Sequence, residues 1–185
     1  AVNCVIASEQ MPKEIKECKI ALLDMDLMKE KMRPGVQLVL TDPEEIERCK
    51  QQEAEIVVRR IKMIIESGAN VVFVSGGLDD LCAKYFVEKG IAVAKRVSTR
   101  DLNRIAKSTG ATVVESLVNL EGEEEFTAAN LGVCGSFSQE RIGDNELIVL
   151  RGCGDGSSAT VLLRGANVSM LDEMSRSLHD ALCVL

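Results

Sequence analysis

Three observations predict a mixed α/β fold for this 185-residue chain. A long helical stretch ends at a glycine, the middle alternates short apolar runs with amphipathic helices, and several β-prone segments precede a closing helix. Short continuous apolar runs suit strands covered on both faces, and alternation with helices implies right-handed crossovers. The arrangement expected is a parallel βαβαβ core beside an antiparallel β layer.

The first strand is "KIALLD", Lys19–Asp24. Residues 25–40 mix charge with Met25, Leu27, Met28 and Met32 and a Pro34–Gly35 turn, so they read as extended and irregular. The clearest helix follows, from Pro43 to Ser67. Asp42 can cap it, Pro43 fits its first position, Glu44 and Glu45 suit the positive end of its dipole, and Gly68 stops it. At ~1.5 Å per residue it is roughly 37 Å long. Its first half offers only Ile46, Cys49 and Ala54 to a core, whereas "IVVRRIKMII" carries a broad apolar stripe. A helix polar all round over three turns projects into solvent, so the first half is expected to stand out from the body.

"NVVFVS" is the next strand, and "GGLDDLCAKYFVEKG" reads as a helix over Leu78–Lys89 closed by Gly90. Leu78, Leu81, Cys82, Tyr85 and Phe86 form its expected core stripe, with Asp80, Ala83, Lys84, Val87 and Glu88 opposite. "IAVAKRV" is a strand, "STRDLNRIAKSTG" a helix with Ser98 as cap, Asp101 closing a capping box and Gly110 as stop, and "ATVVESL" a strand. After the acidic "NLEGEEEFTAAN" come three β segments, "GVCGSFSQERI", "NELIVLRG" and "SATVLLRG". The last helix repeats Met170, Met174, Leu178, Ala181 and Leu185 at helical spacing.

Composition narrows the function. A net charge of -7, no Trp, one Tyr and four Phe leave neither a basic surface nor stacking platforms for nucleic acid. No apolar run approaches the ~20 residues that span a bilayer, and nothing at the N-terminus reads as a signal peptide, so no membrane partner is expected. The seven cysteines are scattered without a CxxC pair, and His179 is the only histidine. No metal site or disulfide framework is expected; free thiols suit a reducing compartment, the cytosol.

Two glycine-rich runs invite a phosphate. In "RGCGDGSSATVLLRG", Arg151 to Gly165, the glycines lie between the strands Glu146–Arg151 and Ala159–Leu163, with no helix and no lysine following. Phosphate loops depend on a helix N-terminus, so this run reads as a hairpin turn around Asp155–Gly156. "SGGLDD", Ser75–Asp80, does sit between strand and helix, but Asp79 and Asp80 already occupy the positive dipole end. A free-standing nucleotide- or small-molecule-binding α/β domain using Ser75–Asp80 stands as the alternative reading. His179 and Asp180 are neighbours on a helix, diverging by ~100°, so they form no dyad and catalysis within this chain is not expected.

Taken together and in order, "MPKEIKECKIALLD", "KMRPGVQLVLTDPE", "SGANVVFVSGGLDDLCAKYFVEKGI", "DLNRIAKSTGA", "ERIGDNELIVL", "TVLLRGAN" and "DEMSRSLHDALCV" resemble the group II chaperonins over essentially the whole chain. The resemblance implies part of a subunit: a β/β/α-layered apical domain over residues 11–166, with a helical protrusion, the built-in lid, at about 25–55. Residues 1–10 would end one intermediate-domain segment and 167–185 begin its return. It implies lid contacts at Met28, Met32, Val36, Leu38, Ile46 and Cys49. Client contacts would fall on Asp80, Ala83, Lys84, Val87 and Glu88, helped by Met11, Lys13 and Glu14 in the loop Met11–Glu14. Asp180, in "HDAL", matches the aspartate that positions water for ATP hydrolysis, a role exercised only in the full-length subunit. ATP and magnesium would be bound by an equatorial domain outside this chain, which itself needs no cofactor. The implied partners are unfolded clients such as actin and tubulin and neighbouring paralogous subunits in a hetero-oligomeric double ring, in the cytoplasm.

Overall fold

A computed structural model of the chain describes residues 1–28, 43–118, 124–143, 145–154 and 158–184. The elements are β1 (Glu14–Leu23), α1 (Pro43–Glu66), β2 (Val71–Val74), α2 (Asp80–Glu88), β3 (Ala92–Ala94), α3 (Thr99–Thr109), β4 (Val113–Val114), β5 (Gly132–Ile142), β6 (Asn145–Cys153) and α4 (Val168–Val184). A single turn of 3-10 helix, Ala128–Asn130, leads into β5.

The six strands of the described residues form one sheet in the order β3-β2-β1-β5-β6, with β4 also on β1. β1 therefore joins the parallel and antiparallel parts. On one edge its Ile20–Leu23 pair in parallel with Val71–Val74. On the other, Glu14 to Ile20 pair antiparallel with β5 while Leu22 and Leu23 take β4 in parallel. The shared edge explains why "ATVVESL" yields only two strand residues: β5 already holds the rest of β1. β3 shrinks to three residues because β2, only four long, gives it three partners, and Arg96 turns the chain away at φ 57.

β2 is buried at every residue, as its continuous apolar run requires. Phe73 packs edge-on against Phe137 of β5, with ring centroids 6.4 Å apart. α1 covers the sheet only through its second half: Val57, Ile61 and Ile64 are buried, whereas Glu45 to Arg48 are exposed. Gly68, Gly90 and Gly110 all take positive φ, the stops expected of them.

Three expectations are corrected. α3 begins after Ser98, but its side chain makes no cap bond; its carbonyl instead accepts the Asp101 and Leu102 amides, and Asp101 turns to Arg104 at 3.4 Å, so the capping box stays open. "SATVLLRG" forms no strand: one edge of β6 is paired with β5, and the other is taken at Ile148 by an antiparallel bridge to Val2. Its Val161 and Leu162 are exposed, and the hairpin lies instead at Gly143 between β5 and β6. Asp155–Ser157 lie outside the described residues. Finally, α4 has no buried residue: Leu171, Met174 and Leu178 are half-covered, and Met170 and Ala181 of the expected stripe face solvent. Leu185 lies outside the described residues. Among the described residues no helix is long and apolar enough to cross a membrane.

Candidate functional site: the outer face of α2 and the base of the projecting helix

α2 is fixed to the sheet by Cys82 and Phe86, both fully buried. Their spacing of four sets the helix rotation, and every other residue follows at ~100° steps. Ala83 and Val87, expected outside, fall on Phe86's flank and are half-buried against the core. Leu81, expected inside, is 40% exposed. The outer face is thus Asp80, Leu81, Lys84 and Glu88. α2 also starts at Asp80 rather than Leu78, because Leu78 is engaged in a bridge to Leu27.

Met11 is corrected too. It is 3% exposed, and its Sδ accepts the Val93 amide at 3.4 Å, so it anchors its loop on β3 and cannot present its side chain. Lys13 and Glu14 are exposed, but they belong to the edge where β1 meets β5, Glu14 facing Ser138. The structure groups Asp80, Lys84 and Glu88 on one helix face and leaves Lys13 and Glu14 on a different part of the sheet.

The segment leaving β1 is stitched to the loop before α2. Leu27, 2% exposed, donates its amide to the Gly77 carbonyl (2.9 Å) and accepts the Asp79 amide (3.0 Å), while the Cys82 thiol donates to the same Leu27 carbonyl (3.2 Å). The Asp26 Oδ1 accepts the Gly77 amide at 2.6 Å. A Cβ on Gly76 would stand 2.0 Å from that oxygen and 2.9 Å from the Asp26 Cα. This corrects the nucleotide alternative. The glycine pair in Ser75–Asp80 exists to admit Asp26, whose carboxylate takes the amide a phosphate would need and repels a second anion. Asp26 and Leu81 are the residues that the sequence reading missed.

Of the lid candidates, Met28 and Ile46 are 43% and 40% exposed and Cys49 is half-buried; Met32, Val36 and Leu38 lie outside the described residues. Where α1 meets the body, Glu124 accepts from Arg60 Nε at 2.7 Å and from Arg59 Nε at 2.9 Å. Burial raises the Glu124 carboxyl, but the hydrogen bonds from Arg60 and Arg59 outweigh it and hold its pKa below the ordinary carboxylate value.

Asp180 is exposed on α4, and its neighbour His179 places Nε2 3.7 Å from the Cys183 Sγ. Among the described residues no group of three or more His, Cys, Asp or Glu could hold a metal ion.

Residues 1–185 match the family model described as the TCP-1/cpn60 chaperonin family. The chain is 50% identical over 185 residues to T-complex protein 1 subunit alpha of Dictyostelium discoideum and of Schistosoma mansoni, covering 100% of this chain and 34% of each relative. It is 33% identical over 175 residues to thermosome subunit alpha of Archaeoglobus fulgidus, covering 95% of this chain and 31% of that relative. A solved structure described as the open state monomer of a group II chaperonin from Methanococcoides burtonii matches with a TM-score of 0.75 at 26% identity, over 99% of this chain and 38% of that one. The chain spans about a third of the length of these curated relatives. From the fold, the match along its whole length and these identities, the chain belongs to the TCP-1/cpn60 chaperonin family.

Proposed function

We propose that this chain is the client-binding, lid-bearing apical domain of a chaperonin subunit, layered β/β/α over residues 11–166. Residues 1–10 and 167–185 are the adjoining intermediate-domain segments. The observation that carries the reading is the outer face of α2: Leu81 stands among Asp80, Lys84 and Glu88 on a helix whose other side is locked by Cys82 and Phe86. One apolar side chain among three charges buries little area, so each contact is weak and a ring of several such faces supplies the avidity. Lys13 and Glu14, exposed at the edge where β1 meets β5, supply a second, separate client contact. The exposed first half of α1 supports its assignment to the lid.

The full subunit assists folding of unfolded proteins, actin and tubulin among them, in a hetero-oligomeric double ring of paralogous subunits in the cytoplasm. The chain by itself is not an enzyme. ATP and magnesium are held by parts of the subunit outside it, and bound ATP supplies the phosphoryl group whose hydrolysis drives the ring. Asp180, exposed on α4, contributes a carboxylate that orients water.

The test is capture of chemically unfolded actin by the immobilised chain. Leu81→Ser with Lys84→Ala should reduce capture several-fold while the denaturation midpoint stays within error of wild type. Unchanged capture by the folded double variant rejects α2 as the binding face.

A further inference from the structure

Three thiols lie in a row across neighbouring strands. Cys18 of β1 is the register partner of Cys134 of β5, and Cys134 that of Cys153 of β6. Cys18 and Cys134 are fully buried; Cys153, the last residue of the edge strand, is half-buried. All are free thiols. The outer pair is in contact, Cys134 Sγ lying 3.4 Å from Cys153 Sγ, whereas Cys18 turns its thiol to the Ile15 carbonyl at 3.2 Å.

The backbone beside the pair can adjust. Gly135 and Gly152 face each other there, with Gly152 at φ 68, and Gly154 follows. A disulfide of roughly 2.0 Å needs the sulfurs to approach by about 1.4 Å, a shift that a glycine-flanked strand end absorbs without moving the core. Cys153 also lines a cavity of about 780 Å³ between α3, β6 and residues 158–161, which gives a small molecule access to its sulfur.

We propose that Cys134 and Cys153 form a reversible dithiol–disulfide site, oxidised by a small two-electron oxidant of the peroxide class. The Cys153 thiolate attacks a peroxide oxygen. The S–O bond forms as the O–O bond breaks, and the departing hydroxide takes up the thiol's proton to give water. Cys134 sulfur then attacks the sulfenic sulfur. The S–S bond forms as the S–O bond breaks, and the second hydroxide leaves as water with the Cys134 proton. Two thiols supply the two electrons that reduce the peroxide. Cys153 reacts first because it faces the cavity and Cys134 does not. Burial, then the hydrogen bond and charge of Cys134, push the Cys153 thiol up to about 11. Little thiolate exists at neutral pH, so the site responds to sustained oxidant rather than to brief exposure. The bond would staple the open end of the β5–β6 pair, where the chain departs for α4. Nothing in this inference depends on the proposed client-binding role.

The full chain is incubated with millimolar hydrogen peroxide, blocked with iodoacetamide and cleaved with trypsin without reductant. The expected product joins the peptide Ser108–Arg141 to Gly152–Arg164, two hydrogens lighter than their sum and separated again by dithiothreitol. Cys153→Ser should lose that product entirely, and Cys134→Ala should leave Cys153 as a sulfenic acid trapped by dimedone. If Cys134→Ala fails to fold, wild type against Cys153→Ser decides alone. Full alkylation of Cys134 while the exposed Cys183 is oxidised overturns the proposal, as does a product joining Cys134 to Cys18.

Discussion

The two neighbouring glycines before α2 should respond very differently to the same substitution. A methyl group on Gly77 would meet the Met28 Sδ at 2.4 Å and its Cγ at 3.3 Å, the far end of a flexible and 43% exposed side chain. Met28 can swing away at little cost, and alanine restricts the unfolded chain, worth about 0.4–1 kcal/mol. Gly77→Ala should therefore lie within about 0.5 kcal/mol of wild type. On Gly76 the methyl group would sit 2.0 Å from the Asp26 Oδ1, 2.7 Å from its Cγ and 2.9 Å from its Cα. A side chain can rotate but a Cα cannot, so the Asp26 bond to the Gly77 amide is lost and the backbone must part. A charge-assisted hydrogen bond is worth about 1.5–3 kcal/mol; with Asp26 exposed to solvent and the entropic gain subtracted, Gly76→Ala should cost about 0.5–2.5 kcal/mol. Urea titration followed by circular dichroism measures both. Asp26→Ala in the Gly76→Ala background should cost less than it does alone, because the bond it removes is already gone. Equal losses for the two glycine variants, or strict additivity with Asp26→Ala, would refute the packing argument.

Phe86→Ala, which empties a fully buried ring site between α2 and the sheet, should cost about 3–5 kcal/mol in the same titration. Glu124→Gln should cost about 1–2 kcal/mol at pH 7, mostly from the Arg60 contact, since Arg59 is largely exposed. Because Glu124 titrates below its ordinary value, its contribution is complete above the unfolded carboxylate pKa of ~4.3 and disappears as the pH falls through the folded value; the two proteins should converge in urea midpoints taken towards pH 3. Val87→Ala, at a half-buried position, should lower the denaturation midpoint more than it lowers capture of unfolded actin, whereas Leu81→Ser should do the reverse.

What was legible in the sequence was local. The stops at Gly68 and Gly110 and the two-part character of α1 depend on residues a few positions apart, and each appears where expected. Strand lengths depend on partners, so "IAVAKRV" and "ATVVESL" contract to what β2 and the remaining edge of β1 can pair. "SATVLLRG", with strand-like composition, pairs with no strand among the described residues, and Val2 takes the outer edge of β6 at Ile148. The face of α2 was misread because apolarity placed Leu81 inward, while the rotation is set by the two residues that fill the core, Cys82 and Phe86. Taking that pair as the origin would have placed Leu81 outside. Asp26 gave no local signal at all, since its partner lies 51 residues away.

The position of β1 bears on how the chain itself acquires its structure. This strand precedes all of its partners in the chain, which begin at Val71, Val113 and Gly132. It must wait, apolar and unpaired, until the residues up to β5 have been made, and each pairing closes a long loop. A domain proposed to shelter other nascent proteins therefore passes through a period in which its own central strand needs shelter.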